Sequence, residues 1–224
     1  MNHPIIQKLE QAEALLAQVP KDFVFTGGAT IVLYAQQDVR GEIRPTEDVD
    51  CAVEVHTRSQ YYQLANYLRE LGLTESIPIC RWTYEELIID IMPCDDKILG
   101  FSNRWYKDGI RKSCSYKLPN GRTIEIFSPL YLLATKIEAH TSRAKSFYHK
   151  DIEDIIVLLD GSKNLQQDYN LAEPKLKQYI HSWFKNNTDK LIESVYSFSP
   201  SPDPERQDLA IELIENIAKD SNYS

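Results

Sequence analysis

The chain has no long apolar run, no paired cysteine motif and no surplus of positive charge, and each absence removes a class of protein. None of its apolar stretches approaches the ~20 residues that cross a bilayer, so no membrane partner is expected. The opening MNHPIIQKLEQAEALLAQV has no basic segment followed by an apolar run, so no secretory leader is expected. Cys51, Cys80, Cys94 and Cys114 include no C-x-x-C pair. They read as reduced, buried thiols of a cytoplasmic protein, not as a zinc site. Lys and Arg number 25 against 33 Asp and Glu, a formal net charge of −8. That balance argues against a surface that coats nucleic acid, while leaving room for a local basic groove. There is no internal repeat, and the one low-complexity stretch, SFSPSPDPE at 197–205, reads as a linker.

What is present is enough for a folded core. At 224 residues and 42% hydrophobic content, one large domain or two small lobes are expected. Residues 5–18 carry apolar side chains at helical spacing. Residues 23–25 read as a strand ending at Gly27-Gly28, and 29–35 as a helix. Residues 36–47, polar and holding Gly41 and Pro45, read as a loop. A strand is expected over 49–55 and a helix over 59–71, closed by Gly72. Residues 81–84 and 86–92 read as a hairpin, and 95–112 as irregular. A second hairpin spans 115–118 and 122–126, turning at Pro119-Asn120-Gly121. From Pro129 the pattern is helical: 129–145, 150–160, 172–187, 188–197 and 205–219. The expected domains are therefore an α/β lobe over 1–128 and a helical lobe over 129–224, with the site in the cleft between them.

The chemistry concentrates in FVFTGGATIVLYAQQDVRGEIRPTEDVDCAVEV. A Gly-Gly turn between strand and helix lets bare backbone N–H groups approach an anion, so Thr26, Gly27 and Gly28 read as a phosphate cradle. Asp48 and Asp50 stand two apart on a strand and face the same way. Paired carboxylates repel unless a cation sits between them. Asp90, inside the apolar run LIIDIMP, needs a partner as well. If its strand adjoins 49–55, it comes within ~5 Å of the pair. Three carboxylates around one point suit one or two magnesium ions, which take oxygen ligands and substrate phosphates. The alternative for Asp90 is a core acid satisfied by an arginine or by backbone donors. Arg44 and Thr46 precede the pair and are placed to grip phosphate or orient the acids. Lys136, His140 and Arg143 share one helix face. They form either a cationic stripe for a triphosphate, with Lys136 as point charge and Arg143 as fork, or a solvated charged face. Asp151 and Asp154, one turn apart on the next helix, are either anchors for Lys136 or Arg143 or acids placed to suit the helix macrodipole. Asn103, Arg104 and Trp105 either line an acceptor surface or pack their loop onto the core.

These blocks resemble the nucleotidyltransferase superfamily of DNA polymerase beta. Within it, TGGATIVLY, RPTEDVD, IIDIMP, ATKIEAHTSR and KDIEDII are similar to the AbiEii-like abortive-infection toxins, over roughly residues 22–160. The resemblance implies a nucleotidyltransferase-type mixed sheet with flanking helices plus a helical C-terminal lobe. It implies metal-dependent transfer of an NMP from an NTP, with Asp48, Asp50 and Asp90 holding Mg2+ or Mn2+. Gly27 and Gly28 form its phosphate loop, and Lys136 binds the nucleotide. It further implies an RNA acceptor, notably the tRNA end, and a cognate antitoxin. Residues 36–43 lengthen the segment between Gly28 and Asp48 relative to many members. Two rival readings share the same residues. One is a small-molecule nucleotidyltransferase of the antibiotic-modifying type, and the other is a non-catalytic nucleotide-binding module.

Overall fold

The structure, a computed structural model, describes residues 3–143, 146–147 and 149–220, with Arg143 described by its backbone alone. The chain divides into two compact units, Met1–Val32 with Arg44–Tyr131, and Leu33–Ile43 with Leu132–Ser224. The first unit carries a mixed seven-stranded sheet. Its strands are β1 (Phe23–Thr26), β2 (Asp48–Val53), β3 (Thr74–Glu75), β4 (Arg81–Tyr84), β5 (Leu87–Pro93), β6 (Ser113–Lys117) and β7 (Thr123–Phe127). They lie in the order β3-β4-β5-β2-β1-β7-β6. The pairs β2/β5 and β1/β7 are parallel, and the others antiparallel.

Helix α1 (Pro4–Leu16) buries Ile5, Ile6, Leu9, Ala12 and Leu16, which is the stripe its spacing dictates. It lies against β2 and β5. From it Lys8 donates to the carbonyls of Thr46 (2.9 Å) and Glu47 (3.0 Å), pinning the segment that leads into β2. Helix α2 (Gly27–Tyr34) follows β1 without an intervening loop. Helix α3 (Arg58–Glu70) opens with a capping box between Thr57 and Gln60. It ends at Gly72, whose φ of 88° supplies the left-handed turn. There Gly72 N–H bonds Arg69 O and Leu73 N–H bonds Leu68 O, so two otherwise orphaned carbonyls are satisfied.

Several expectations are corrected. Residues 95–112 are not irregular throughout. Asp95 caps a short helix α4 (Asp96–Leu99) by accepting from Lys97 N–H, and α5 (Tyr106–Arg111) follows. The expected loop 36–47 contains a 3₁₀ helix, Gln37–Glu42, with Val39 and Ile43 buried. It belongs to the second unit, where Asp38 pairs with Arg206 at 3.1 Å. The short β3 and a helix α8 (Leu165–Asn170, after α6 and α7 below) carried no signal that singled them out. Of the four cysteines only Cys51 and Cys80 are buried, whereas Cys94 is half-buried and Cys114 is exposed on the edge strand β6.

The second unit is helical: α6 (Pro129–Arg143), α7 (Lys150–Gly161), α8, α9 (Pro174–Phe198) and α10 (Pro204–Ala218). The expected break at 187–188 is absent, and α9 runs unbroken for 25 residues. Buried Ile180, Phe184, Leu191 and Val195 hold one face across the polar Asn186-Asn187-Thr188. Asn187 and Thr188 donate back to the carbonyls of Trp183 (2.7 Å) and Phe184 (2.9 Å), so they bond within the helix instead of ending it. Arg206 of α10 grips the carboxylate of Asp160 on α7, 2% exposed as a side chain, through two nitrogens, giving both charges a partner. Among the described residues no helix is long and apolar enough to cross a membrane.

Candidate active site

A single lateral row across the sheet carries the candidate chemistry. Thr26 of β1 is the register partner of Asp50 on β2, Asp50 of Asp90 on β5, and Asp90 of Arg81 on β4. Lateral partners share a face of the sheet, and Asp48, two residues before Asp50, shares it too. The strands thus bring Asp48, Asp50 and Asp90 to one face, as their spacing predicts. They also bring Arg81, which was not foreseen. The signal was available: the β4–β5 hairpin turns at Glu85-Glu86, so counting back from Leu87↔Tyr84 puts Arg81 opposite Asp90.

Arg81 binds two of the three acids. Its Nε donates to Asp90 Oδ1 at 2.8 Å, and its Nη2 donates to Asp90 Oδ2 at 2.8 Å and to Asp48 Oδ2 at 2.6 Å. Asp90 is 9% exposed, and a carboxylate that buried requires such a partner. Its hydrogen bond to Asp90 raises the Arg81 guanidinium above its ordinary range, against the opposing effect of burial. The field of the acids reaches into the core beneath. Burial first, then Asp50 and Asp90, push the Cys51 thiol well up, and burial and Asp90 push Cys80 to about 11. Both thiols are therefore neutral at ordinary pH. Among the described residues no group of three or more His, Cys, Asp or Glu side chains surrounds a metal-sized point. In this conformation Arg81 holds Asp48 and Asp90 instead.

The Gly-Gly turn lies directly against the acids. Gly27 has φ 74°, and a methyl group on it would stand 1.8 Å from Asp50 Oδ2. Only glycine allows this approach. Gly28 opens space toward Thr46 Oγ1 (3.5 Å from a Cβ placed there) and Arg44 Nη2 (3.8 Å). Thr46 donates its hydroxyl toward Asp48, with Oδ1 at 3.2 Å, and so orients that acid. The Thr26 hydroxyl is 1% exposed and has no hydrogen-bond partner among the described residues. Thr26, Gly27, Gly28, Arg44, Thr46, Asp48, Asp50 and Asp90 therefore all belong to the first unit, on and around this row. Gly27→Ala is expected to lower any transfer activity ten- to hundredfold. Left-handed strain of roughly 1–3 kcal/mol adds to displacement of Asp50. Initial rates together with a urea titration check this, because full activity at unchanged stability would detach the turn from the site.

Lys136 belongs to the second unit, where its ammonium lies 2.5 Å from Asp154 Oδ2. Lys136 is 8% and His140 7% exposed, so this helix face is not a solvated one. His140 Nε2 lies 3.3 Å from the Ser146 carbonyl, and its ring meets those of Phe147 and Trp183 edge to face. Burial lowers its pKa. Asp151 is buried beside His149, its Oδ2 at 3.1 Å from Nδ1. Arg143 ends α6, and its side chain lies outside the described residues. Trp105 is a core residue at 2% exposure, and its backbone N–H donates to Asn103 Oδ1 at 3.1 Å, so these two shape and pack the loop. Arg104 beside them is exposed.

A crystal structure of an antigenic nucleotidyltransferase-like protein from Paracoccidioides brasiliensis is similar to 78% of this chain and 91% of its own, with a TM-score of 0.50 and 18% identity. A likeness at that identity speaks to fold, and the mixed sheet with its helices is a nucleotidyltransferase-like fold. No family model matches the sequence, and neither does a curated protein.

Proposed function

We propose that the chain is a metal-dependent nucleotidyltransferase that moves an NMP from an NTP to an acceptor hydroxyl. The observation that carries this reading is the Thr26–Asp50–Asp90–Arg81 row with Asp48 beside it, pressed against Gly27. The donor set fits magnesium. Its ligands would be the hard carboxylate oxygens that the register of β2 and β5 brings to one face. A buried, unpartnered threonine hydroxyl stands in the same row. Asp48 and Asp50 would hold the metal, with Asp90 as the third acid of the site. Bound there, magnesium would neutralise phosphate charge as the acceptor oxygen bonds to the α-phosphorus and the bond to pyrophosphate breaks.

The chain's own groups have definable tasks. Thr46 keeps Asp48 oriented. The bare backbone of Gly27 and Gly28 admits phosphate oxygens, and Arg44 supplies a cation next to that turn. Lys136, held by Asp154, is the nucleotide-binding cation of the second unit. Arg143 is proposed beside it on the sequence spacing alone. The acceptor proposed is RNA, the tRNA end in particular, with the chain as the toxin partner of an antitoxin protein in the cytoplasm. That part rests on the motif resemblance. The net charge of −8 favours the small-molecule acceptor as the second reading, because an RNA track calls for local positive charge.

The test supplies α-labelled NTPs with magnesium and either total RNA or a panel of hydroxyl-bearing small molecules. Label on RNA that is lost in chelator is the expected result. Label on a small molecule instead selects the second reading. Nucleotide binding by calorimetry that is indifferent to magnesium, with no label transferred, would overturn the enzyme in favour of a nucleotide-binding module.

A further inference from the structure

Arg81 contacts the two acids unequally. Its Nε and Nη2 clasp both oxygens of Asp90 side by side, whereas Asp48 receives one bond, from the Nη2 that already serves Asp90. Releasing Asp48 would leave the fork on Asp90 intact. A lysine could not do this, because its compact ammonium lacks the planar fork that spans a carboxylate. The register fixes the arrangement as well, since Arg81 and Asp90 are lateral neighbours on antiparallel strands. The acid pair two apart on β2 thus contains one member held by an internal cation through a single 2.6 Å bond, Asp48, and another in the row beside Asp90, Asp50.

We infer that Arg81 is an internal counter-cation that competes with the divalent metal for Asp48. This rests on the reading of Asp48 and Asp50 as the metal-holding pair, and it narrows the part of Asp90 to holding Arg81. Without metal, Arg81 offsets the repulsion among three carboxylates, so the sheet is stable on its own. When metal arrives, Asp48 passes from the guanidinium to the ion, and Arg81 stays clasped to Asp90 as a fixed positive charge beside the metal. Two consequences follow. The metal meets a competitor and a like charge, so it binds weakly until the negative charge of a nucleotide triphosphate arrives with it. Asp48 also changes partner on loading, which makes Arg81 a positioning residue for the metal.

The test measures Mn2+ binding to nucleotide-free protein by the resonance of the free ion, with melting followed in parallel. Arg81→Gln removes the competitor and the charge. It is expected to bind Mn2+ at least tenfold more tightly than wild type, to melt lower in chelator, and to regain stability on adding Mn2+. A residue with a merely architectural role would not tighten metal binding when lost. Arg81→Lys keeps a cation without the fork and is expected to fall between the two. It carries the comparison if Arg81→Gln does not fold. Affinity equal to or weaker than wild type in the variant measured overturns the inference. Asp50→Asn separates the two readings. If wild type binds Mn2+, loses it in Asp50→Asn and transfers nucleotide, while the Arg81 variants bind no tighter, only the inference on Arg81 falls. If neither wild type nor the Arg81 variants bind Mn2+, with or without nucleotide, the metal site falls and this inference with it.

Discussion

Asp50→Asn is expected to reduce nucleotidyl transfer by about a thousandfold or more while leaving the fold intact. A metal that stabilises the transferred phosphate contributes several kcal/mol to the transition state, and roughly 4 kcal/mol corresponds to three decades in rate. Asparagine keeps the shape of the side chain, so the close approach of Gly27 is retained. It removes one of three neighbouring negative charges, so the melting temperature in chelator should hold or rise. Asp48→Ala would strip Arg81 and Thr46 of a partner as well as removing a charge. Single-turnover rates with labelled NTP and a thermal melt with and without magnesium check the prediction. Activity within tenfold of wild type would remove Asp50 from the metal site.

Lys136→Met is expected to cost about 3–5 kcal/mol of stability. The pair with Asp154 is buried on both sides, at 8% and 4% exposure. Removing one member strands the other charge in a medium that cannot solvate it. A raised Michaelis constant in that variant would therefore be ambiguous between lost structure and lost phosphate contact. The double variant Lys136→Met with Asp154→Leu resolves it. Replacing both partners with apolar groups is often neutral, so stability should recover to near wild type. If Lys136 also grips nucleotide, the recovered protein should still show an NTP Michaelis constant ten- to hundredfold higher, the loss of one charge-assisted contact of roughly 1.5–3 kcal/mol. Recovery of both stability and nucleotide affinity would assign Lys136 to architecture alone.

The site residues were legible where chemistry and period coincide locally. A carboxylate pair two apart on a strand, an acid inside an apolar β run and a Gly-Gly turn between strand and helix each point to their place without a partner being known. The hairpins and the amphipathic helices were legible for the same reason, since periods of 2 and 3.6 are properties of the chain. Element ends and the short α4, α5 and α8 were not, because four to six residues hold too few turns to show a period. The break expected in α9 misjudged Asn186-Asn187-Thr188. Their weak helix propensity is overridden by bonds to carbonyls one turn back and by the buried face that continues past them.

By itself, then, the sequence determined the inventory: which acids, which glycines and which strands and helices carry them. Only the tertiary structure decided who neutralises whom. Asp90 could meet a metal or an arginine as far as its own segment was concerned, and the arginine beside it came from β4 lying against β5 in the register that sets Arg81 across from it. Lys136 looked equally suited to solvent or to phosphate, and Asp154 on α7 gives it a buried acidic partner, which takes it out of solvent. Residues 36–43 looked like an insertion, and Arg206 of α10, far along the chain, ties Asp38 into the second unit. In each case the deciding partner lies on another element. A buried charge takes whichever opposite charge packing brings within hydrogen-bond reach, and no local pattern records that choice.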